Sequence, residues 1–335
     1  MEKVIHNIVE ISIAGKNVTG DVSPMLSKIT YTDKVEAESD DVTLTFEDTK
    51  AVWQSAWYPS QGDTLTVKLG NSEAMLDCGL FEIDEIELNL SPDELQVKAI
   101  AAAITQTLRT KNSKAFEKQS LRKIAQYFAD KHKLKMTGNV GALQKIEVDR
   151  KTQEHQTDLS FLASLAKEYD LIFSVRGDQL VFMDTADLDK QPCILTIDRA
   201  QMSKANFKDK TAGIYESAEV SSRSVKKNSV TKSAAHYELS KGTATSGKDQ
   251  LKVSGKVENA SQAKAKVTGA VKANNKEKVT GAFTVPGNVK LVAGVNIDIT
   301  GVGAFSGKWH ITSSQHTVDT SGGYITSVEI RKIGQ

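Results

Sequence analysis

Between Val9 and Ala99, apolar residues recur at every second position in short runs: Val9, Ile11 and Ile13; Val42, Leu44 and Phe46; Leu65, Val67 and Leu69; Leu80 to Ile86; Leu95, Val97 and Ala99. A period of two marks strands with one buried face. Turn-forming residues separate the runs, as in Gly15-Lys16-Asn17, Pro59-Ser60-Gln61-Gly62-Asp63, Gly70-Asn71 and Ser91-Pro92-Asp93. Short strands at this spacing favour an antiparallel barrel or sandwich. Trp53 and Trp57, four apart, are expected on one face of a short helix packed over a barrel end.

From about Ile104 the period changes. Ser120 is placed to cap a helix carrying Leu121, Ile124, Ala125 and Phe128, with Lys131-His132-Lys133 where a helix C-terminus favours positive charge. Thr157 or Asp158 caps a second helix, whose apolar face is Leu159, Leu162, Leu165, Ala166 and Tyr169. Leu171, Phe173 and Val175, a turn at Arg176-Gly177-Asp178, then Leu180 and Phe182 predict a hairpin behind it. Strands return after about Lys190 and again at Val295, Ile297 and Ile299, at Trp309 and Ile311, and at Ile325, Val328 and Ile330. Between them, Ser233 to Asn275 is poor in large apolar groups. Gly242, Thr243, Ser246, Gly247 and Gly255 predict a mobile loop, and Asn259 or Ser261 could cap a helix bearing Ala263, Val267 and Val271. The pentapeptide KVTGA occurs at Lys266 and Lys278, too short a repeat to define an architecture.

Two of these segments carry a family resemblance. LRTKNSKAFEKQSLRKIAQYFADKHKL (Leu108 to Leu134), followed by QTDLSFLASLAKEYDLIFSVRGDQLVFMD, resembles the late control protein D family, the baseplate hub proteins of contractile phage tails, and the related hub part of type VI secretion spike proteins. Thr280 to Lys332 is similar to that family's carboxy-terminal barrel, with its Pro-Gly turn, AGV strand entry and final hairpin. WYPSQGDTLTVKLG and CGLFEIDEIELNLSPDELQVKAI match more loosely. The resemblance implies a mainly β chain with an α+β insertion, in which two tail-tube-like antiparallel β-barrel domains flank a helix-hairpin α/β domain. The expected division is a first barrel at 1–103, the α/β domain at 104–190, a second barrel at 191–232 and 279–335, and a basic flexible loop with a short helix at 233–278. It implies a structural role: a homotrimeric ring adapting the hexameric tail tube protein to a trimeric tail spike protein, with baseplate wedge proteins and the tape measure protein as further partners. The place implied is the baseplate of a virion or tail particle, with the bacterial host cytoplasm before assembly.

Bulk properties agree with a soluble globular chain of two or three domains: 335 residues, 39% hydrophobic and 25% charged. No run approaches the roughly 20 apolar residues of a membrane span, and MEKVIHNIVE lacks a signal core, so no membrane insertion by this chain is expected. The net charge of +1 hides an asymmetry. Lys204 to Lys278 holds sixteen Lys and Arg against seven Asp and Glu, leaving 27 against 35 elsewhere. A solvated surface is the plain reading of the basic stretch. The sharper one is non-specific, salt-dependent contact with DNA passing through a ring lumen.

Candidate chemistry is sparse. Cys78 and Cys193 lack metal or disulfide spacing and read as small buried hydrophobes. His310 and His316 could share a strand face, but six residues at about 3.3 Å each keep them from sharing a metal. Asp184, Asp187 and Asp189 lack the glycine and distal glutamate of a calcium loop and read as a polar turn. Gly301, Gly303 and Gly307 sit between strands and read as punctuation, not a dinucleotide fingerprint. Glu82, Asp84, Glu85 and Glu87 form the densest acidic cluster, which strict alternation divides between two faces. No catalytic, cofactor-binding or metal residue is assigned, no cofactor is implied, and the chain is not expected to be an enzyme. The alternatives are a tail-tip peptidoglycan hydrolase, which needs two carboxylates facing across a sugar, and a gene regulator, for which no helix-turn-helix is present.

Overall fold

The computed structural model describes residues 7–35, 39–101, 108, 110–138, 140–144, 146–176, 179–215, 217–224, 229–236, 250–253 and 260–334. His6, the Gly177-Asp178 turn, Gly242, Thr243, Ser246, Gly247, Gly255 and Asn259 lie outside the described residues.

The alternating runs of the amino-terminal region form strands: Asn7–Ile13, Asp41–Glu47, Thr64–Asn71, Met75–Asn89 and Glu94–Ala101 pair antiparallel, joined by Leu26–Lys34. Their inward residues, among them Ile11, Ile29, Leu44, Phe46, Leu65, Phe81 and Leu95, meet in one core. Strands that all point into a single core must curl around it, the geometry of a barrel. One seam stays open, where Asn7, Val9, Leu26, Ser27, Thr320 and Gly323 are among the residues lining a cavity of about 520 Å³.

A second core is built on Trp309, with Ile297, Ile299, Phe283, Val328 and Ile330 around it. Its strands are Cys193–Asp198, Lys204–Asp209, Val279–Pro286, Asn296–Thr300, Gly307–Asp319 and Gly323–Lys332. Both cores nevertheless belong to one sheet of 13 strands. Gly307–Asp319 makes the connection: its first residues pair with Asn296–Thr300, its last seven with Lys28–Lys34. A bulge between Ile311 and Ser313 redirects the strand from one core to the other. Leu26–Lys34, the strand it reaches, was not evident from apolar alternation. Ile29 and Tyr31 face inward, but the next inward position is Asp33, buried and accepting the Ala293 N–H at 2.9 Å.

The insertion has its own core of Phe116, Ile124, Phe128, Phe161, Leu165, Phe173 and Phe182. Both expected helices form: Leu121–Lys131 is capped by the Ser120 hydroxyl, and Asp158–Glu168 by Thr157, which accepts the Ser160 N–H at 3.0 Å. The hairpin of Leu171–Arg176 and Gln179–Asp184 gains a third, parallel strand, Lys135–Gly138. Gly138 is required there, since its φ is +95° and a Cβ would sit 1.9 Å from the Phe182 carbonyl oxygen. A two-stranded ribbon, Lys111–Ser120 with Glu147–Thr157, completes the unit.

Ser217–Ser224 and Ser229–His236 lie in the stretch expected for the second barrel, but they join Gln250–Val253 in a separate three-stranded sheet. Ala218 and Val220 face a small core with Val267 and Val271 of the helix Ala260–Asn275. At 16 residues this helix is longer than the short one expected. It crosses the Asp158–Glu168 helix closely: a Cβ on Gly269 would lie 2.7 Å from the Glu168 carbonyl oxygen. Lys151 and Lys266 both pair with Glu168, while Lys276 pairs with Asp170 and donates to Thr185 at 2.6 Å. Burial raises the Asp170 carboxyl above its usual range despite the opposing pull of Lys276. The two KVTGA segments diverge completely, Lys266–Ala270 being helical and Val279–Ala282 a strand. Tertiary context has overridden identical local sequence.

Candidate functional site

The residues singled out for chemistry are structural pins. His310 and His316 are both buried on Gly307–Asp319, but the bulge reverses the alternation between them, so they face opposite sides of the strand instead of sharing one. His310 faces the insertion. Its Nδ1 donates to Asn296 Oδ1 at 2.7 Å, because the Asn296 amide nitrogen is committed to the carbonyls of Leu188 (2.7 Å) and Gln191 (2.9 Å). Arg331 forks onto Asp189 beside it. His316 faces the joint between cores, stacked on Tyr31; its Nε2 proton goes to the Leu291 carbonyl at 3.1 Å, leaving Nδ1 to accept from the Tyr324 hydroxyl at 2.8 Å. Burial lowers both imidazoles to about 4, helped at His310 by the Arg331 charge, so both are neutral at pH 7.

Asp158 is not the cap. Fully buried at the first helical position, it receives Lys131 at 2.5 Å, His132 and Gln153 at 2.8 Å and Asn112 at 3.2 Å. Burial opposes its ionisation, yet the donors from Gln153, Lys131 and His132 outweigh burial and hold the carboxyl below the usual range. The basic run read as dipole compensation thus ties one helix end to the start of the next.

The carboxylates of Asp184-Thr-Ala-Asp187-Leu-Asp189 diverge on a short helix, Thr185–Lys190: Asp184 caps it, Asp187 meets Lys190 at 3.1 Å, and Asp189 holds Arg331. Among the described residues no group of three His, Cys, Asp or Glu is placed to hold a metal. Cys78 is buried, which raises its thiol far above the usual value, and Cys193 is half-buried.

The acidic cluster behaves differently from strict alternation. Met75–Asn89 carries a bulge at Asp84, so Glu82, Glu85 and Glu87 pair opposite Ile100, Lys98 and Gln96 and share the outer face. They stand side by side on a sheet surface instead of facing across a cleft, an arrangement suited to attracting cations and not to splitting a glycosidic bond.

What the alternation did not foresee lies at one end of the first core. Residues 51–57 form a turn, not a helix; Trp53 stacks on Phe46 at 4.1 Å, while Trp57 meets it edge-on at 5.7 Å and stays 42% exposed. Tyr58, next in the chain, and Leu88 and Leu90, at the turn between Met75–Asn89 and Glu94–Ala101, are 57%, 41% and 68% exposed. The Asp48 N–H donates to the Asp93 carbonyl at 2.8 Å and its carboxylate accepts the Trp53 N–H at 3.0 Å, binding the tryptophan turn to the hairpin that carries Leu90. Asp48 Oδ2 and Trp53 Nε1 are buried with no hydrogen-bond partner among the described residues. The only sequence signal was the Trp pair, which spacing alone assigned to packing. Exposed aromatic and aliphatic side chains of this kind are typical of protein interfaces.

The chain is similar to proteins that assemble phage tails. Residues 81–322 match the family described as phage tail baseplate hub (GPD). A probable baseplate hub protein of Escherichia phage 186 is 29% identical over 175 residues, covering 52% of this chain and 44% of that protein. Its counterpart in Escherichia phage P2 is 26% identical over 211 residues, covering 61% and 53%. The chain therefore spans about half the length of these relatives. In fold it is similar to the 43 kDa tail protein of prophage MuSo2 from Shewanella oneidensis, with a TM-score of 0.70 at 16% identity over 97% of this chain and 98% of that one. It is also similar to a chain of the Francisella PdpA-VgrG complex, with a TM-score of 0.58 at 10% identity over 99% and 59%. With that family match over residues 81–322, most of its length, the chain belongs to the phage tail baseplate hub family.

Proposed function

We propose that three copies of this chain form the ring at the centre of a contractile-tail baseplate. Each copy contributes two barrel units, residues 1–103 and the strands Cys193–Asp198, Lys204–Asp209 and those of 279–335 around Trp309, so that three copies present six units to a hexameric tail tube and a threefold face to a trimeric spike. The observation that carries this reading is the seven-residue pairing of Lys28–Lys34 with Ser313–Asp319, which fixes two β-units side by side in one sheet. A chain that holds two such units rigidly converts threefold into approximate sixfold symmetry.

The role is non-enzymatic and rests on pre-formed interfaces with the spike, the tube, the wedge proteins and the tape measure. The likeness to a chain of the PdpA-VgrG complex supports a spike-linked position. The α/β block, pinned to the second core through Asp189–Arg331 and Asn296, braces the ring. Sedimentation of the purified protein with and without its spike tests this reading: the expected result is a monomer or weak trimer alone and a stable trimer with spike. A tight dimer would sink it. A peptidoglycan zymogram showing a lytic band that a single carboxylate substitution abolishes would replace it with the hydrolase.

A further inference from the structure

Resting on that ring reading, we propose that the apolar end of the first core receives the basic edge of a second copy of this chain, so that each copy docks head-to-tail on the next. The receiving surface is Trp57, Tyr58, Leu88 and Leu90, large side chains left 41–68% exposed on a turn and a hairpin held together by Asp48 and Asp93. Tryptophan and tyrosine clustered in this way are characteristic anchors of protein interfaces. In the same turn, Asp48 Oδ2 and the Trp53 indole N–H are buried without partners among the described residues.

Charge selects the occupant. Residues 1–103 hold seven Lys and Arg against nineteen Asp and Glu, a balance of −12. Glu47, Glu87, Asp93 and Glu94 rim the apolar end, with Lys50 the nearby cation in sequence. The complementary surface lies at the far end of the same sheet. There Lys204–Asp209 is paired on one side only among the described residues, Lys204 and Lys208 are exposed on its outward side, Asp209 is on the inward side, and exposed Arg199 and Ile194 lie on the preceding segment. Asp198 there accepts from Thr300 and Ala200 at 2.8 and 3.0 Å. An acidic apolar end and a basic edge at different places on one molecule make a heterologous contact, which closes into a ring when the rotation allows.

Zero-length carbodiimide coupling tests the contact, because it joins only carboxylates and amines already touching. Isotopically light and heavy protein are mixed with spike, coupled, and the trimer digested for mass spectrometry. Mixed-isotope links from Glu87, Asp93 or Glu94 to Lys204 or Lys208 are expected. In parallel, Glu87→Lys with Glu94→Lys, and separately Lys204→Glu with Lys208→Glu, should each weaken association roughly tenfold or more, and the fourfold variant should regain it. Far-UV circular dichroism checks that these surface changes leave the fold intact. A trimer whose mixed links join other surfaces, or a fourfold variant that stays as weak as either pair, overturns the contact while the ring stands. Absence of any trimer, with or without spike, overturns the ring reading and the contact together.

Discussion

The two β-regions share a sheet but treat the same side chain differently. In the second core Trp309 is fully buried and its indole N–H donates to the Phe305 carbonyl at 2.9 Å; in the first, Trp53 is equally buried and its indole N–H has no partner among the described residues. The second region buries two neutral histidines, of which His310 keeps Nε2 without a partner among the described residues, whereas the first has no histidine among its described residues and ends in half-exposed Trp57, Tyr58 and Leu90. Apolar periodicity made both regions sheets. Coverage of the apolar end distinguishes them: one region closes over its tryptophan, the other leaves Trp57, Tyr58 and Leu90 half-exposed.

Truncating the two tryptophans probes that difference most strongly. Trp309→Ala should cost about 3–5 kcal/mol in denaturant unfolding, and Trp53→Ala less, because it abandons no hydrogen bond. A larger loss at Trp53 would break the comparison.

Acid should act on the second region through its histidines. His310 and His316 protonate near pH 4 when folded but near 6.5 when unfolded, so between those values the unfolded chain binds more protons. Their stabilising contribution is full above pH 6.5 and declines as pH falls toward 4, by up to about 1.4 kcal/mol per pH unit for each histidine. Thermal midpoints measured between pH 7 and 4 should show this slope, and His316→Gln should flatten it. An unchanged slope would remove His316 from the account.

The joint offers an intermediate effect. Asp33→Ala strands the buried Ala293 N–H, at about 1–3 kcal/mol. It should also separate the unfolding of the regions, seen as loss of coincidence between Trp fluorescence and circular dichroism. The smallest effect belongs to the unfinished end: Leu90→Ser should change stability by less than about 0.5 kcal/mol while weakening trimerisation measured by sedimentation. Equal trimerisation in the variant would leave Leu90 without a role in assembly.

Much of this architecture was legible wherever burial imposed a clean period: the flanking strands, both capped helices and the hairpin of the insertion. The departures have identifiable causes. Leu26–Lys34 escaped notice because a buried Asp33 interrupts its apolar face. The ribbon of Lys111–Ser120 and Glu147–Thr157 is largely polar because much of it faces solvent. Single-residue bulges at Asp84 and after Ile311 left no mark in composition, yet each reversed every side chain beyond it, uniting Glu82, Glu85 and Glu87 and separating His310 from His316. The candidate surface was hidden for another reason, since Trp53 and Trp57 have the same residue type and neighbouring positions but opposite exposure.

The pairing of Lys28–Lys34 with Ser313–Asp319 also has a mechanical meaning. A pull that draws the two cores apart along these antiparallel strands loads the bonds of the seven residue pairs together, in shear, instead of opening them one at a time like a zipper. The strand that crosses between cores therefore acts as a tendon, and the direction in which a tail transmits force decides how much of its strength is used.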